Sequence, residues 1–261
     1  ENARLYKETA AAAEHERNVR QVFQKFVPKE VVDTIIHGLE GGQAVIEEVK
    51  RVTLLNIDIR GFSRMAKQMG PRRTVALLNR FFAAMGEVVF RHHGIVDKYL
   101  GDGFLAVFGA PVSGTRDADN AVQAALEMRR CLEEVNLEAS LDPGAAIQMG
   151  IGIHTGEVVV GNIGFEKKMD YTVIGDAVNT VFRLQGLAKA VPNGILISEN
   201  TLRAVRSRLK VRAMPIPLDF EREFGRLKVY ALQEENDRPA AAGAASGSSD
   251  PVQTPIRLGT P

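Results

Sequence analysis

The sequence predicts an α/β sandwich: a βαββαβ core on a mixed, mainly antiparallel sheet. Three observations predict it. Apolar, strand-like runs alternate with amphipathic helical stretches through residues 50–235; two runs are joined by the tight turn Gly101-Asp102-Gly103; and long helical stretches stand on either side of that hairpin.

The elements follow in order. Val52-Thr53-Leu54-Leu55-Asn56-Ile57 has a buried-strand pattern, with Asp58 directly after it. A helix is expected from about Pro71 to Phe90, with Val75, Leu78, Phe82, Met85 and Val89 on one face. Gly94 opens a strand to Leu100, the Asp-Gly turn reverses the chain, and Phe104 to Phe108 returns. Asp117 to Val135 is a second amphipathic helix. Strands are expected at about 147–153, 157–161 and 170–174, and a helix starts near Asp176. Further strands fall near 194–197 and 228–232. Two helices on a sheet with a central hairpin make the core ferredoxin-like, with C-terminal additions.

Composition bounds the rest. The chain has 261 residues, with 33 basic and 32 acidic side chains, so a net charge of +1 gives no whole-chain case for nucleic acid or an anionic membrane. Hydrophobic residues at 45% allow a sizeable core and exclude wholesale disorder. No apolar run approaches the roughly 20 residues of a membrane helix. The lone Cys131 excludes an intramolecular disulfide and multi-cysteine metal clusters. It is compatible with a reducing compartment, and a cytoplasmic location is the expectation. The start, Glu1-Asn2-Ala3-Arg4, has no initiator Met or signal peptide, so the chain is expected to be a piece of something longer, following a sensory domain.

Three zones result: a helical linker at 1–49, a body at 50–235 and a tail at 236–261. In the linker Leu5, Ala12, Val19 and Phe26 recur every seven residues, but the second seam, Thr9, Glu16 and Phe23, is poor. A parallel coiled coil and a solvated terminal helix remain equal alternatives. Pro28 ends the pattern, and Lys29 to Gly38 suits a short helix. In the tail, 17 of 26 residues are Ala, Gly, Pro, Ser or Thr, a composition that cannot offset its ordering entropy, so flexibility is expected.

Two aspartates stand out. Asp58 sits where a sheet delivers side chains to a ligand crevice, and Asp102 sits in a glycine-flanked turn. Each alone has a structural explanation, a helix cap or a common hairpin turn. If the 52–57 strand lies beside the hairpin, both carboxylates project at one sheet edge. Such a pair suits Mg²⁺ or Mn²⁺, hard cations that take one or two protein carboxylates and complete their shell with phosphate. Amides at the helix start near Gly61 could face that phosphate.

These residues carry a resemblance. Asn56-Ile57-Asp58-Ile59-Arg60-Gly61-Phe62-Ser63 is similar to the first metal motif of the class III nucleotidyl cyclases, and Val96-Asp97-Lys98-Tyr99-Leu100-Gly101-Asp102-Gly103 to the second. The run from Tyr171 through Thr172, Gly175 and Asn179 to Arg183 and Leu184 resembles the third block. The order and spacing agree, and the similarity covers roughly 50–232. It implies a head-to-tail homodimer with composite active sites that convert ATP to 3′,5′-cyclic AMP and pyrophosphate. Asp58 and Asp102, helped by the Ile59 carbonyl, would hold two Mg²⁺ or Mn²⁺ ions per site. The facing subunit would supply Lys98 and Thr172 to the base, Asn179 to the ribose and Arg183 to the phosphates. Asn179 and Arg183 are four residues apart on one helix and therefore share a face.

Base choice has a physical argument. A lysine donor at 98 and a hydroxyl at 172, which can donate or accept, suit adenine's N1 and 6-amino group. Guanylyl members of the family carry Glu and Cys at these positions, so ATP is favoured. The family often places a lysine before its last strand to meet the triphosphate; here Arg226 is the first candidate and Lys228 the second. His92-His93 point to different helix faces and are not expected to bind metal; His154 is expected in a turn with a structural role. Asn162 to Met169 is expected as a projecting loop, the family's arm towards its partner. Phe81, Phe82 and Met85 are expected as core or dimer contacts, and Cys131 as a small buried or half-buried helix residue. The rivals are a guanylate cyclase, argued against by positions 98 and 172, and a non-catalytic nucleotide-sensing module, argued against by the intact Asp58, Asp102, Asn179 and Arg183. A diguanylate cyclase should show a Gly-Gly-Asp/Glu-Glu-Phe turn, which Gly101-Asp102-Gly103-Phe104 is not.

Overall fold

The computed structural model describes residues 47–138, 146–165, 167–188, 191, 194–216 and 227–233. The expected linker helices, the tail and Arg226 lie outside these residues. The elements are β1 (Glu48–Ile59), α1 (Phe62–Met69), α2 (Pro71–Arg91), β2 (Gly94–Leu100), β3 (Gly103–Phe108), α3 (Asp117–Glu138), β4 (Met149–Phe165), β5 (Lys168–Ile174), α4 (Asp176–Leu187), β6 (Ile195–Ser198), α5 (Glu199–Ala204), β7 (Val211–Met214) and β8 (Val229–Leu232).

The sheet runs β2-β3-β1-β4-β6-β8-β7, with β5 also paired to β4. All pairings are antiparallel except β4 with β6. The first four strands, in the order β2-β3-β1-β4, form the expected βαββαβ core.

From Val52 to Ile59 strand β1 is buried at every residue but the half-buried Asp58, because both of its faces are covered there. Leu55, Ile57 and Ile59 alternate onto one face, where Phe81, Met85 and Val88 of α2 and Ala121, Ala125 and Met128 of α3 meet them. Val52 and Leu54 point the other way, against Val173 of β5 and Ala177 and Val181 of α4. Phe81, Phe104 and Phe108 are fully buried, each worth roughly 1.5–3 kcal/mol of transfer free energy. On α2 the packed stripe is Leu77, Phe81, Met85, Val88 and Val89, with Leu78 and Phe82 at its margin. Val75, expected on that stripe, is 56% exposed because the helix turns a neighbouring row inward.

The expected strands 147–153 and 157–161 are one continuous strand. In the middle of β4, His154 is buried rather than in a turn: its Nδ1 lies 2.9 Å from Ser198 Oγ, and Thr155 Oγ1 lies 2.9 Å from Thr53 Oγ1. Satisfied polar groups let a polar triplet continue an apolar strand. Where a loop was expected at 162–169, residues 162–165 and 168–169 are strand: β4 and β5 pair from Val159↔Ile174 to Phe165↔Lys168, with Phe165 and Met169 exposed near the end of the pair. Asn136 in the last turns of α3 bonds both the Ile147 N–H (2.9 Å) and the Ile147 carbonyl (3.0 Å), fixing where the chain rejoins the sheet. His92 pairs with Glu127 of α3 at 2.6 Å while His93 is exposed, so the two histidines serve different surroundings.

Candidate active site

Asp58 is half-buried at the end of β1, opposite Gly103 of β3 on one side and Gly150 of β4 on the other. By strand alternation it faces α4, together with Val52 and Leu54. The Ile59 N–H donates to the Asp102 carbonyl at 3.3 Å, which ties the strand end to the hairpin turn and brings the two aspartates to one edge. Gly103 makes this approach possible: a Cβ there would lie 2.0 Å from the Ile57 carbonyl oxygen. Gly152 does the same on the other side, since a Cβ would lie 2.5 Å from the Gln185 amide nitrogen and hold α4 off the sheet.

Around Asp58 the chain places a cation and an amide. Arg60 turns back under β4, donating through Nε to the Met149 carbonyl (3.0 Å) and through Nη2 to the Ala188 carbonyl. Burial lowers its pKa, and the Asp58 charge works against that shift. Gln185 Nε2 lies 3.5 Å from Asp58 Oδ2, a long hydrogen bond. Ile59 is buried, so only its backbone carbonyl is available to a ligand. Among the described residues no group of three or more His, Cys, Asp or Glu is gathered to hold a metal. Two carboxylates and a carbonyl with no nitrogen or sulfur donor fit a hard cation that completes its shell with phosphate, not an all-protein cage. In α1, which starts after Gly61, the Arg64 and Met65 amides already donate to the Gly61 carbonyl, so the Phe62 and Ser63 amides are the donors facing outward from this end. A cleft of about 390 Å³ opens here, lined by Arg60, Gly61, Arg64, Met65, Gln68, Ala146 and Ile147. A larger cleft of about 470 Å³ lies at the opposite end of the β2–β3 hairpin, around Gly94 and Pro111; neither cleft is lined by Asp58, Asp102, Lys98, Thr172, Asn179 or Arg183.

Lys98 and Thr172 come together on one acid that the sequence reading did not single out. Strand β2 carries a bulge: Val96 pairs with Ala106, and Lys98 pairs with the next residue along β3, Leu105. Asp97 is the extra residue, and its side chain is 2% exposed. Without the bulge Lys98 would lie opposite Phe104, on the α2–α3 face. With it, Lys98 shares the face of Leu105, Leu54 and Asp58. Thr172 Oγ1 donates to Asp97 Oδ2 at 3.1 Å, and Lys98 Nζ lies 3.3 Å from the same oxygen. The visible signal was an acid within the apolar run Ile95 to Leu100. Gln185, two residues beyond Arg183 and buried, is the other residue missed.

Asn179 and Arg183 share the exposed face of α4, while Ala177, Thr180, Val181, Leu184 and Gln185 form its buried face. Lys228 is exposed, with its Nζ 3.7 Å from Glu199. The chain thus joins Asp58 to Asp102 and Lys98 to Thr172, and carries Asn179 and Arg183 on a separate outward face.

A profile of the family described as "Adenylate and Guanylate cyclase catalytic domain" matches residues 44–232. The chain belongs to this family. Relatives of this cyclase-family chain include an adenylate cyclase of Anabaena cylindrica, 38% identical over 186 residues, covering 69% of this chain and 36% of the relative. Adenylate cyclase 1 of Rhizobium meliloti (strain 1021) is 32% identical over 213 residues, covering 81% and 31%. The chain therefore spans about a third of the length of these curated relatives. Among solved structures, the guanylyl cyclase Cya2 matches at 36% identity with a TM-score of 0.64, covering 71% of this chain and 92% of that one. The adenylyl cyclase CyaB from P. aeruginosa matches at 26% identity with a TM-score of 0.65, covering 74% and 98%. Relatives named for both nucleotides thus share this cyclase fold, and the choice between ATP and GTP rests on the site.

Proposed function

We propose that the chain is an adenylate cyclase, forming 3′,5′-cyclic AMP and pyrophosphate from ATP in composite sites of a homodimer. The observation that carries this reading is the pairing of Asp58 with Asp102 at one sheet edge, on a chain that keeps Lys98 and Thr172 together and Asn179 and Arg183 on one helix face. In the reaction the ribose 3′-oxygen bonds to the α-phosphorus, the bond from that phosphorus to the bridging oxygen of the β-phosphate breaks, and the 3′-hydroxyl proton is released. Asp58, Asp102 and the Ile59 carbonyl would hold two Mg²⁺ or Mn²⁺ ions. The chemistry these ions supply is acidification of the 3′-hydroxyl and neutralisation of the leaving phosphates.

The chain's own residues position and neutralise. Arg183, always charged and shaped for bidentate contact with phosphate oxygens, stabilises the charge that develops at the α-phosphate of the facing subunit's nucleotide. Asn179, one turn earlier, orients the ribose. The Phe62 and Ser63 amides and the basic cleft of Arg60 and Arg64 face the polyphosphate. Lys98 donates to adenine N1, and Thr172 meets the 6-amino group. Arg226 remains the proposed triphosphate contact ahead of Lys228.

The test is product analysis of the purified protein with Mn²⁺ and either ATP or GTP, repeated with Asp58→Ala and Asp102→Ala. Cyclic AMP that disappears in both variants, with dimerisation intact, is the expected result. Turnover surviving in either variant would sink the metal assignment, and cyclic GMP from the wild type would overturn the base assignment.

A further inference from the structure

The hydroxyl of Thr172 can donate or accept a hydrogen bond, so on its own it does not discriminate a 6-amino from a 6-oxo purine. The structure removes that freedom. We infer that Asp97 is a specificity-positioning residue: it accepts the hydrogen bond of the Thr172 hydroxyl, leaving the Thr172 oxygen as an acceptor for the exocyclic amino group of adenine, and it holds Lys98 beside it to donate to the ring N1. This rests on the proposed adenylate cyclase reading and adds to it a residue that does not touch the nucleotide.

Three features support the assignment. The Asp97 side chain is 2% exposed, so its hydrogen bonds are made with the protein rather than shared with water. Its two neighbours at Oδ2, Thr172 Oγ1 at 3.1 Å and Lys98 Nζ at 3.3 Å, are the two side chains assigned to the base. An ionised carboxylate only accepts, so the Thr172 O–H must point at it, and the Thr172 lone pairs point elsewhere. Burial raises the Asp97 pKa, while the Thr172 bond and the Lys98 charge oppose that rise; Asp170 adds a weaker upward push. The third feature is the bulge. Alternation from the buried Ile95 already places Asp97 on the face of Leu54 and Asp58, and the bulge brings the next residue, Lys98, onto that same face, so the acid and the lysine stand side by side. Lys98 keeps two further donors after meeting Asp97, and both suit a ring nitrogen acceptor. A 6-oxo group would instead set oxygen against oxygen at Thr172, leaving a buried acceptor unpaired.

The experiment compares kcat/KM for ATP and GTP in the wild type, Asp97→Ala, Thr172→Val and the double variant, with dimerisation checked for each. Asp97→Ala is expected to lower the ATP-to-GTP ratio by about tenfold, the worth of one hydrogen bond to the base. Thr172→Val is expected to lower it similarly, and the double variant no further. Asp97→Asn, which keeps a carbonyl acceptor for Thr172 and Lys98, is expected to retain most of the ratio. An unchanged ratio in a dimeric Asp97→Ala overturns the inference, and so does a double variant whose loss is the product of the two single losses. A wild-type measurement does not depend on any variant folding. With 6-methoxypurine riboside triphosphate, which keeps the N1 acceptor but replaces the amino donor by an oxygen, kcat/KM is expected to fall about tenfold below that for ATP; equal use of the two would overturn the inference. If the wild type forms no cyclic product, the enzymatic reading fails on its own. Competition of ATP, GTP and the methoxy analogue for binding to the same proteins then reads the Asp97 assignment directly.

Discussion

Gly103→Ala should damage stability and turnover together, and its size follows from one contact. The added Cβ would lie 2.0 Å from the Ile57 carbonyl oxygen and 3.1 Å from Asp58 Cα, both main-chain atoms that cannot rotate away. Ordinary van der Waals contact begins at 3.4 Å, so β3 and β1 must separate locally by about 3.4 − 2.0 = 1.4 Å. Overpacking of a well-packed interior costs about 1–3 kcal/mol, and weakening a ladder bond adds about 1 kcal/mol. A loss near 3 kcal/mol should lower Tm by roughly 6–12 °C for a domain of this size. The same shift moves Asp58 away from Asp102 by far more than the roughly 0.2 Å tolerance of metal ligation, so cyclic product should fall below detection even at temperatures where the variant is folded. Thermal unfolding by circular dichroism and product chromatography give the two readouts. Gly86→Ala is the control: it lies inside α2 with nothing within 4 Å of the added Cβ, and it should stabilise by about 0.5–1 kcal/mol. A Gly103→Ala protein with wild-type Tm and turnover would refute the claim that strand approach sets the carboxylate geometry.

Three further outcomes are expected. Lys98→Glu combined with Thr172→Cys should weaken the preference for ATP over GTP in kcat/KM; an unchanged preference would remove the base-recognition argument. Burial, with a smaller push from Arg51, lowers the His154 pKa from 6.5 to about 4, so the unfolded chain binds the proton more readily between those values. Stability should therefore fall as pH drops from about 6.5 to about 4, by up to roughly 3 kcal/mol, and denaturant titrations of His154→Gln should show a flatter dependence. Ser198→Ala removes the cap that accepts from the Thr201 N–H at 3.2 Å and the partner of His154, and should cost about 2 kcal/mol in chemical denaturation without changing the ATP-to-GTP ratio.

The sequence was most informative where periodicity and turn chemistry act locally. The 52–57 strand, the Asp-Gly hairpin and the two long helices are visible because their apolar spacing must match a buried face. Asp58 and Asp102 are visible because strand ends and tight turns expose side chains at a sheet edge. What escaped depends on partners distant in the chain. The strand through His154-Thr155-Gly156 looked broken because its polar groups are satisfied by Thr53, Ser198 and Thr201, up to 102 residues away. The 162–169 hairpin looked like a loop because main-chain pairing leaves no trace in a glycine-containing, polar stretch. The pairing of Asp97 with Lys98 escaped because the bulge puts two successive residues on one face, and no period-2 count anticipates the extra residue. Val75 was misplaced because α2 packs against two elements at once, and sequence spacing alone does not say which of two adjacent rows turns inward.

The seam between β4 and β6 has consequences for how the molecule opens. It is the one parallel joint among the described residues, and it is only three residue pairs long, Ile151↔Ile195 to Ile153↔Ile197. Left to those pairs, the β6–β8–β7 flap would be free to peel away as a unit. Across the joint runs a relay of side chains: Thr53 to Thr155, Thr155 to Thr201, Thr201 to Ser198, and Ser198 to His154. Two of these bonds, Thr155 to Thr201 and Ser198 to His154, cross from β4 to the flap, and detaching it would break both and take from the buried His154 its Ser198 partner. The amides of β6 should therefore exchange with solvent at the pace of β1, as part of one cooperative unit, and not at the faster pace of a loosely attached edge.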